Sequence, residues 1–158
     1  MPRSLRDEIR QSQPFRSIQT ETYLNLVRTA DRLAGAEAAL LKTHRLSRPQ
    51  YNALRILRGA GEAGHPCRAI AERMITRVPD ITRLVDRLVG RGLVERVRGD
   101  DDRRVVRVRI LPEGVRLLAE LDEPVEALAR DQFAVLGDEV THQLNDLLTR
   151  LRHAAEDA

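Results

Sequence analysis

The sequence predicts a mainly helical fold carrying one small β-hairpin, and three observations predict it. Apolar residues recur at intervals of three and four along most of the chain, the period of an amphipathic helix. Residues 93–110 depart from this: two segments alternate apolar and polar around Gly99-Asp100-Asp101-Asp102, the period of paired strands. Aromatic residues make up only 3% and tryptophan is absent, so the core is Leu, Val, Ile and Ala, which suits packed helices better than a sandwich. Two short helices with a tight break, followed by a hairpin, make a winged helix-turn-helix with further helices on either side. The 158 residues suit one such domain with helical extensions.

The elements follow in order. Residues 1–17 are polar and mixed in charge and read as a flexible arm. From residue 18 to 45, Tyr23, Leu26, Val27, Ala30, Leu33, Ala34, Ala38 and Leu41 keep helical spacing to about Thr43. Ser47 is an N-cap for the next helix, and Pro49 falls in its first turn, where a missing N–H costs nothing. Tyr51, Leu54, Ile56 and Leu57 follow, and Gly59 and Gly61 end that helix. Residues 61–66 hold two Gly and a Pro and read as a loop. A third helix is expected from Cys67 to Met74, with Ile70, Ala71 and Met74 inward and Ala71 small enough for the close packing of a helix-turn-helix.

Ile75-Thr76-Arg77-Val78 is the turn. Pro79 is expected in the first turn of the next helix, with Asp80 complementing the helix dipole. Gly92 stops this helix as the residue after its C-cap. Its inward stripe is Ile81, Leu84, Val85, Leu88 and Val89. At about 100° per residue the opposite arc holds Pro79, Thr82, Arg83, Asp86 and Arg87. Leu93 to Arg98 and Val105 to Ile110 are the strands, Arg107 and Arg109 sharing a face. Two strands alone are not stable, so the hairpin packs on the helices as a wing. Residues 112–158 give two more helices: one opens at Pro112-Glu113-Gly114 and is expected to kink or break at Pro124, and one opens at Gly137 and frays after Arg152.

The net charge of +3 is unevenly spread. Residues 1–67 and 68–111 each carry +5, and residues 112–158 carry −7. Basic charge concentrated on the helix-turn-helix is the electrostatic footprint of a nucleic-acid binder. The major groove admits one α-helix and shows a distinguishable donor and acceptor pattern. Arg83 and Arg87, one turn apart, can fork onto guanine or hold phosphate, and Thr82 can meet a thymine methyl or a phosphate. Thr76 and Pro79 lie near the helix N-terminus, where backbone N–H groups favour phosphate. At the hairpin tip, Arg103 and Arg104 are placed to reach an adjacent minor groove, whose narrow segments attract arginine.

Residues 46–114 resemble the MarR (multiple antibiotic resistance regulator) family of transcription factors. The matching pieces are LSRPQYNALRIL, AIAERM, ITRLVDRLVGRGLVER, the DRR of the wing and the V-x-I-L-P-E-G after it; the likeness extends more weakly over about 18–152. The resemblance implies a homodimer on a pseudo-palindromic duplex site, with residues 18–45 and 112–158 as dimerisation helices and 46–111 as the DNA-binding domain. By position, Arg104 falls on the family's minor-groove arginine and Asp102 on the acidic residue that orients the wing. Val78-Pro79-Asp80 departs from the family, where Ser or Thr is common. The family's effector pocket, between dimerisation helices and DNA-binding core, often takes aromatic or phenolic anions, and His44, Arg48 and Tyr51 lie near that junction by position.

Other chemistries find less support. No run of about 18 apolar residues exists, so no membrane span is expected. The N-terminus lacks the apolar region of a secretory signal, and a single cysteine makes no internal disulfide; a reducing cytoplasm is expected. Cys67 at a helix start reads as packing more readily than as a redox sensor. The histidines at 44, 65, 142 and 153 form no ligand-spaced pair, so no metal is expected. No Gly-rich phosphate loop or nucleophile–base pair is present; neither a cofactor nor catalysis is expected. The alternative to DNA reading is a winged helix used as a protein-interaction module.

Overall fold

The structure is a computed structural model and describes residues 3–98 and 104–156. The chain divides into two compact units, Met1–Ala39 and Leu40–Ala158. In the first, a one-turn helix α1 (Leu5–Glu8) begins at Ser4, whose Oγ accepts from the Asp7 N–H. Arg6 donates to the Gln11 and Ser12 carbonyls at 3.2 and 2.7 Å, and Leu5 is buried. This stretch, expected as an arm, therefore carries a capped turn; one turn is too short to show a period. Helix α2 (Ile18–Lys42) starts where Ser17 Oγ accepts from the Thr20 N–H, and its Arg28 pairs with Glu8 at 2.9 Å.

The second unit opens on the end of α2. The Leu46 N–H bonds to the Leu41 carbonyl and the Arg45 N–H to the Lys42 carbonyl, the two bonds of a Schellman motif, with Leu46 and Leu41 both buried. The left-handed position of that motif is Arg45, at φ +56°. Helix α3 (Arg48–Ala60) then starts on a complete capping box: Ser47 Oγ accepts from the Gln50 N–H, and Gln50 Oε1 accepts from the Ser47 N–H.

A 3₁₀ turn (Gly61–Ala63) leads to α4 (Cys67–Arg73) and α5 (Ile81–Gly90). Ile70 is fully buried, but Ala71 is exposed. On so short a helix the inward face follows from helical geometry. Cys67 and Met74 lie within about 60° of Ile70, whereas Ala71 lies about 100° away. The close approach expected through Ala71 is absent.

Strands β1 (Val94–Arg98) and β2 (Val106–Ile110) pair antiparallel from Val94–Ile110 to Arg98–Val106. His65 adds a third, single-residue rung: its N–H reaches the Val108 carbonyl at 3.0 Å and its carbonyl accepts from Val108 at 2.8 Å. The neighbouring Gly64 sits at φ +59°, where a Cβ would stand 2.3 Å from the Val108 carbonyl oxygen. Only glycine lets the chain turn this close to the wing.

Helix α6 (Pro112–Phe133) runs unbroken through Pro124. Pro124 and Glu120, whose carbonyl loses its partner, are both exposed, so the freed carbonyl is open to solvent and the helix continues. Helix α7 (Gly137–Glu156) continues past Arg152. One core joins these elements. Leu54 and Leu57 of α3, Ile70 of α4, Val85 and Leu88 of α5, Val94 and Val108 of the hairpin, and Leu118 and Leu121 of α6 are all buried in one cluster. Burying each such side chain stabilises by roughly 1.5–3 kcal/mol, so α5 and the wing are mounted on a common rigid base.

Candidate nucleic-acid interface

Helix α5 separates its faces cleanly. Leu84, Val85 and Leu88 are buried and Ile81 and Val89 half-buried, while Thr82, Arg83, Asp86 and Arg87 are exposed. Its N-cap is Asp80, whose Oδ1 accepts from the Arg83 N–H at 2.9 Å. Pro79 therefore lies outside the helix rather than in its first turn. An aspartate fills the N-cap position as well as serine or threonine does, which accounts for the departure at Val78-Pro79-Asp80. Among the described residues, the side chains of Arg83 and Arg87 have no hydrogen-bonding or ionic partner. Thr76 and Pro79 are exposed beside the start of α5.

Three contacts absent from the sequence reading hold this face. Asn52 Oδ1 on α3 accepts from the Ile75 N–H at 2.8 Å and fixes the turn between α4 and α5. Asp86, on the exposed arc, pairs with Arg96 of β1 at 2.7 Å. Arg91, the C-cap of α5, donates to the carbonyls of Arg45 and His44 at 2.6 and 3.3 Å. All three span 10 to 47 positions in sequence, and no local pattern signals them.

Among the described residues of the wing, Arg107 and Arg109 are both engaged within the chain. Arg107 turns back to the Gly64 carbonyl at 3.3 Å, and Arg109 pairs with Glu95 across the hairpin at 2.9 and 2.5 Å. Arg104 is exposed just before β2. Asp102 and Arg103 lie outside the described residues.

The three effector candidates occupy separate settings. His44 is half-buried, with Nδ1 2.9 Å from Thr43 Oγ1 and Nε2 3.7 Å from Glu120 on α6. Tyr51 is buried, and the Arg55 guanidinium stands 5.9 Å from its ring centre. Arg48 is half-buried in the first turn of α3. A cavity of about 450 Å³ opens instead at the base of the wing, lined by Arg58, Glu95, Arg109, Ile110, Pro112 and Val115 among others, and none of the three lines it. Arg58 there is bidentate to Asp122, at 2.8 and 2.9 Å. That bond raises the Arg58 pKa and holds the Asp122 carboxyl below its ordinary range. No described helix is long and apolar enough to cross a membrane.

The sequence profile of the MarR family matches residues 46–106. A transcriptional repressor of Pseudomonas putida, IacR, is 30% identical over 74% of this chain and 69% of its own length. A MarR transcription factor from Planctomyces limnophilus is 40% identical, over 92% of this chain and all of the other, with a TM-score of 0.65. The PcaV transcriptional regulator of Streptomyces coelicolor, solved in complex with its natural ligand, is 30% identical over 80% of this chain and 90% of its own, with a TM-score of 0.66. Sequence, fold and the exposed basic arc of α5 agree: the chain belongs to the MarR family and is a DNA-binding transcription regulator built on a winged helix-turn-helix.

Proposed function

We propose that the chain acts as a homodimeric, effector-responsive repressor on a pseudo-palindromic duplex site. The observation that carries the reading is the division of α5, whose apolar stripe is buried while Thr82, Arg83 and Arg87 face outward on a rigid base. In this reading α5 enters the major groove, with Arg83 and Arg87 forking onto guanine or phosphate. Phosphates meet the α5 N-terminus beside Thr76 and Pro79. Arg104 and Arg103, oriented by Asp102, reach the adjacent minor groove. No catalytic step is required; binding blocks the site, as the repressor name of the Pseudomonas relative suggests.

Residues 18–45 and 112–158 serve dimerisation. Tyr23 and Val27 on α2, and Val140, Leu147 and Leu151 on α7, are exposed apolar side chains that a second copy would cover. The effector is an aromatic or phenolic anion, with His44, Arg48 and Tyr51 as the residues to test; the solved ligand complex of PcaV supports an effector of some kind. The protein works in the cytoplasm, with the DNA it reads.

Selection of duplexes from a random-sequence library with the full chain tests this reading. Enrichment of a two-fold symmetric site with half-sites about 34 Å apart is the expected result. Failure to enrich any sequence would contradict it and favour a protein-interaction module.

A further inference from the structure

We infer that Arg91 is a positioning residue for DNA binding: it ties the groove-facing helix α5 to the end of α2. The inference rests on α5 as the DNA-reading helix. Two helix ends come within reach of one arginine side chain at this point, and each closes in the same way. At the end of α5, the Leu93 N–H bonds to the Leu88 carbonyl and the Gly92 N–H to the Val89 carbonyl, with Gly92 at φ +68°. At the end of α2, Leu46 and Arg45 make the same pair of bonds to Leu41 and Lys42. Both closures seat a buried leucine pair, Leu88 with Leu93 and Leu41 with Leu46. These ends are therefore fixed in the core, and a side chain that joins them transmits the position of one to the other.

Arg91 is that side chain. Its two terminal nitrogens donate to successive carbonyls, Arg45 at 2.6 Å and His44 at 3.3 Å. Neither carbonyl has an intrahelical partner, because both lie past the last turn of α2. A cation there also meets the negative end of the α2 dipole. The planar fork matters: a lysine supplies the charge but cannot hold two carbonyls in a fixed orientation.

The chain bears a local cost at this joint. Arg45 adopts φ +56°, in the left-handed region where glycine is the usual occupant and other residues are disfavoured. Arg91 grips the carbonyl of that strained residue, and the side chain of the preceding His44 reaches Glu120 on α6. One junction thus gathers the ends of α2 and α5 and the middle of α6. Asn52 holds the turn that precedes α5, at Ile75, so side-chain to backbone bonds anchor the chain before the helix and at its C-cap. Losing Arg91 leaves α5 folded and seated in the core, because its apolar stripe is untouched, but removes the tie between its C-terminal end and the end of α2.

The test uses the full-length dimer and a duplex selected with the wild-type protein. Arg91→Ala and Arg91→Lys are compared with wild type for affinity across a salt series, well below their melting temperatures. For Arg91→Ala, a loss of about tenfold or more is expected, because binding must then also fix the position of α5. The slope of log affinity against log salt is expected to stay unchanged, because the Arg91 guanidinium is engaged by the Arg45 and His44 carbonyls rather than by phosphate. Arg91→Lys recovers only part of the loss. Wild-type affinity in Arg91→Ala would overturn the inference while leaving the DNA-binding reading intact. So would a loss accompanied by a slope reduced by about one, which would make Arg91 itself a phosphate contact. Full affinity in Arg91→Lys would also overturn it, since charge alone would then suffice.

Discussion

Arg96 on the first strand of the wing stands 2.7 Å from Asp86 on the exposed arc of α5. Asp86 lies between Arg83 and Arg87, the arginines proposed to meet DNA, and the wing supplies its counter-charge. The side chains of Arg96 and Asp86 are 32% and 58% exposed, so solvent screens the pair, and its worth to folding is about 0.2–1 kcal/mol. If α5 meets DNA as proposed, the pair's larger effect is electrostatic. Arg96→Ala is expected to weaken duplex binding by leaving the Asp86 carboxylate uncompensated opposite phosphate, and Asp86→Asn in the same chain should recover part of the loss. A double-mutant cycle in urea should show a coupling below about 1 kcal/mol. A binding defect that Asp86→Asn does not relieve would mean that Arg96 acts by some other route.

Gly64→Ala should destabilise the protein by about 2 kcal/mol or more, through left-handed strain together with a Cβ 2.3 Å from the Val108 carbonyl oxygen. Gly59→Ala is the matched control. It lies inside α3 with nothing within 4 Å of the added carbon, and should stabilise by about 0.5–1 kcal/mol. Urea midpoints of the two variants, moving in opposite directions from wild type, are the readout.

Burial, and then the charges of Arg73 and Arg107, hold the His65 pKa below its ordinary 6.5. The unfolded chain therefore binds a proton here at a higher pH than the folded one. Stability from this group is complete above pH 6.5 and is lost as pH falls through the lower folded value. Wild type should lose more stability than His65→Gln between about pH 7.5 and about pH 5. Identical pH dependence of the two would show that His65 is not coupled to folding.

The parts of the fold that rest on local pattern were legible in the sequence. The stripe Ile81, Leu84, Val85, Leu88 and Val89 gave both the helix and the side it buries. Ser47 and Pro49 mark the start of α3 and Gly92 the end of α5 itself, because capping chemistry acts over three or four residues. What the sequence hid is what depends on distance. A one-residue rung at His65 has no alternation to reveal it. Ala71 faces outward because it stands about 100° from Ile70, although its small size suits a close approach. Pro79 lies outside the helix because Asp80 is its N-cap, a role that looks like a first-turn acid in sequence. The contacts of Arg91, Asn52 and Arg96 join elements that only the folded chain brings together.

The central claim is that the Thr82, Arg83 and Arg87 arc of α5 is the surface that meets DNA. Duplex affinity across a salt series, for wild type and for Arg83→Ala/Arg87→Ala, tests it most directly. The account predicts that wild-type affinity falls about a thousandfold between about 50 and about 200 mM salt. The double variant should bind at least about tenfold more weakly at every salt concentration, with an unchanged melting temperature, since neither side chain has a partner among the described residues. A wild-type protein that binds no duplex at low salt, or a double variant that binds as wild type does, would contradict it.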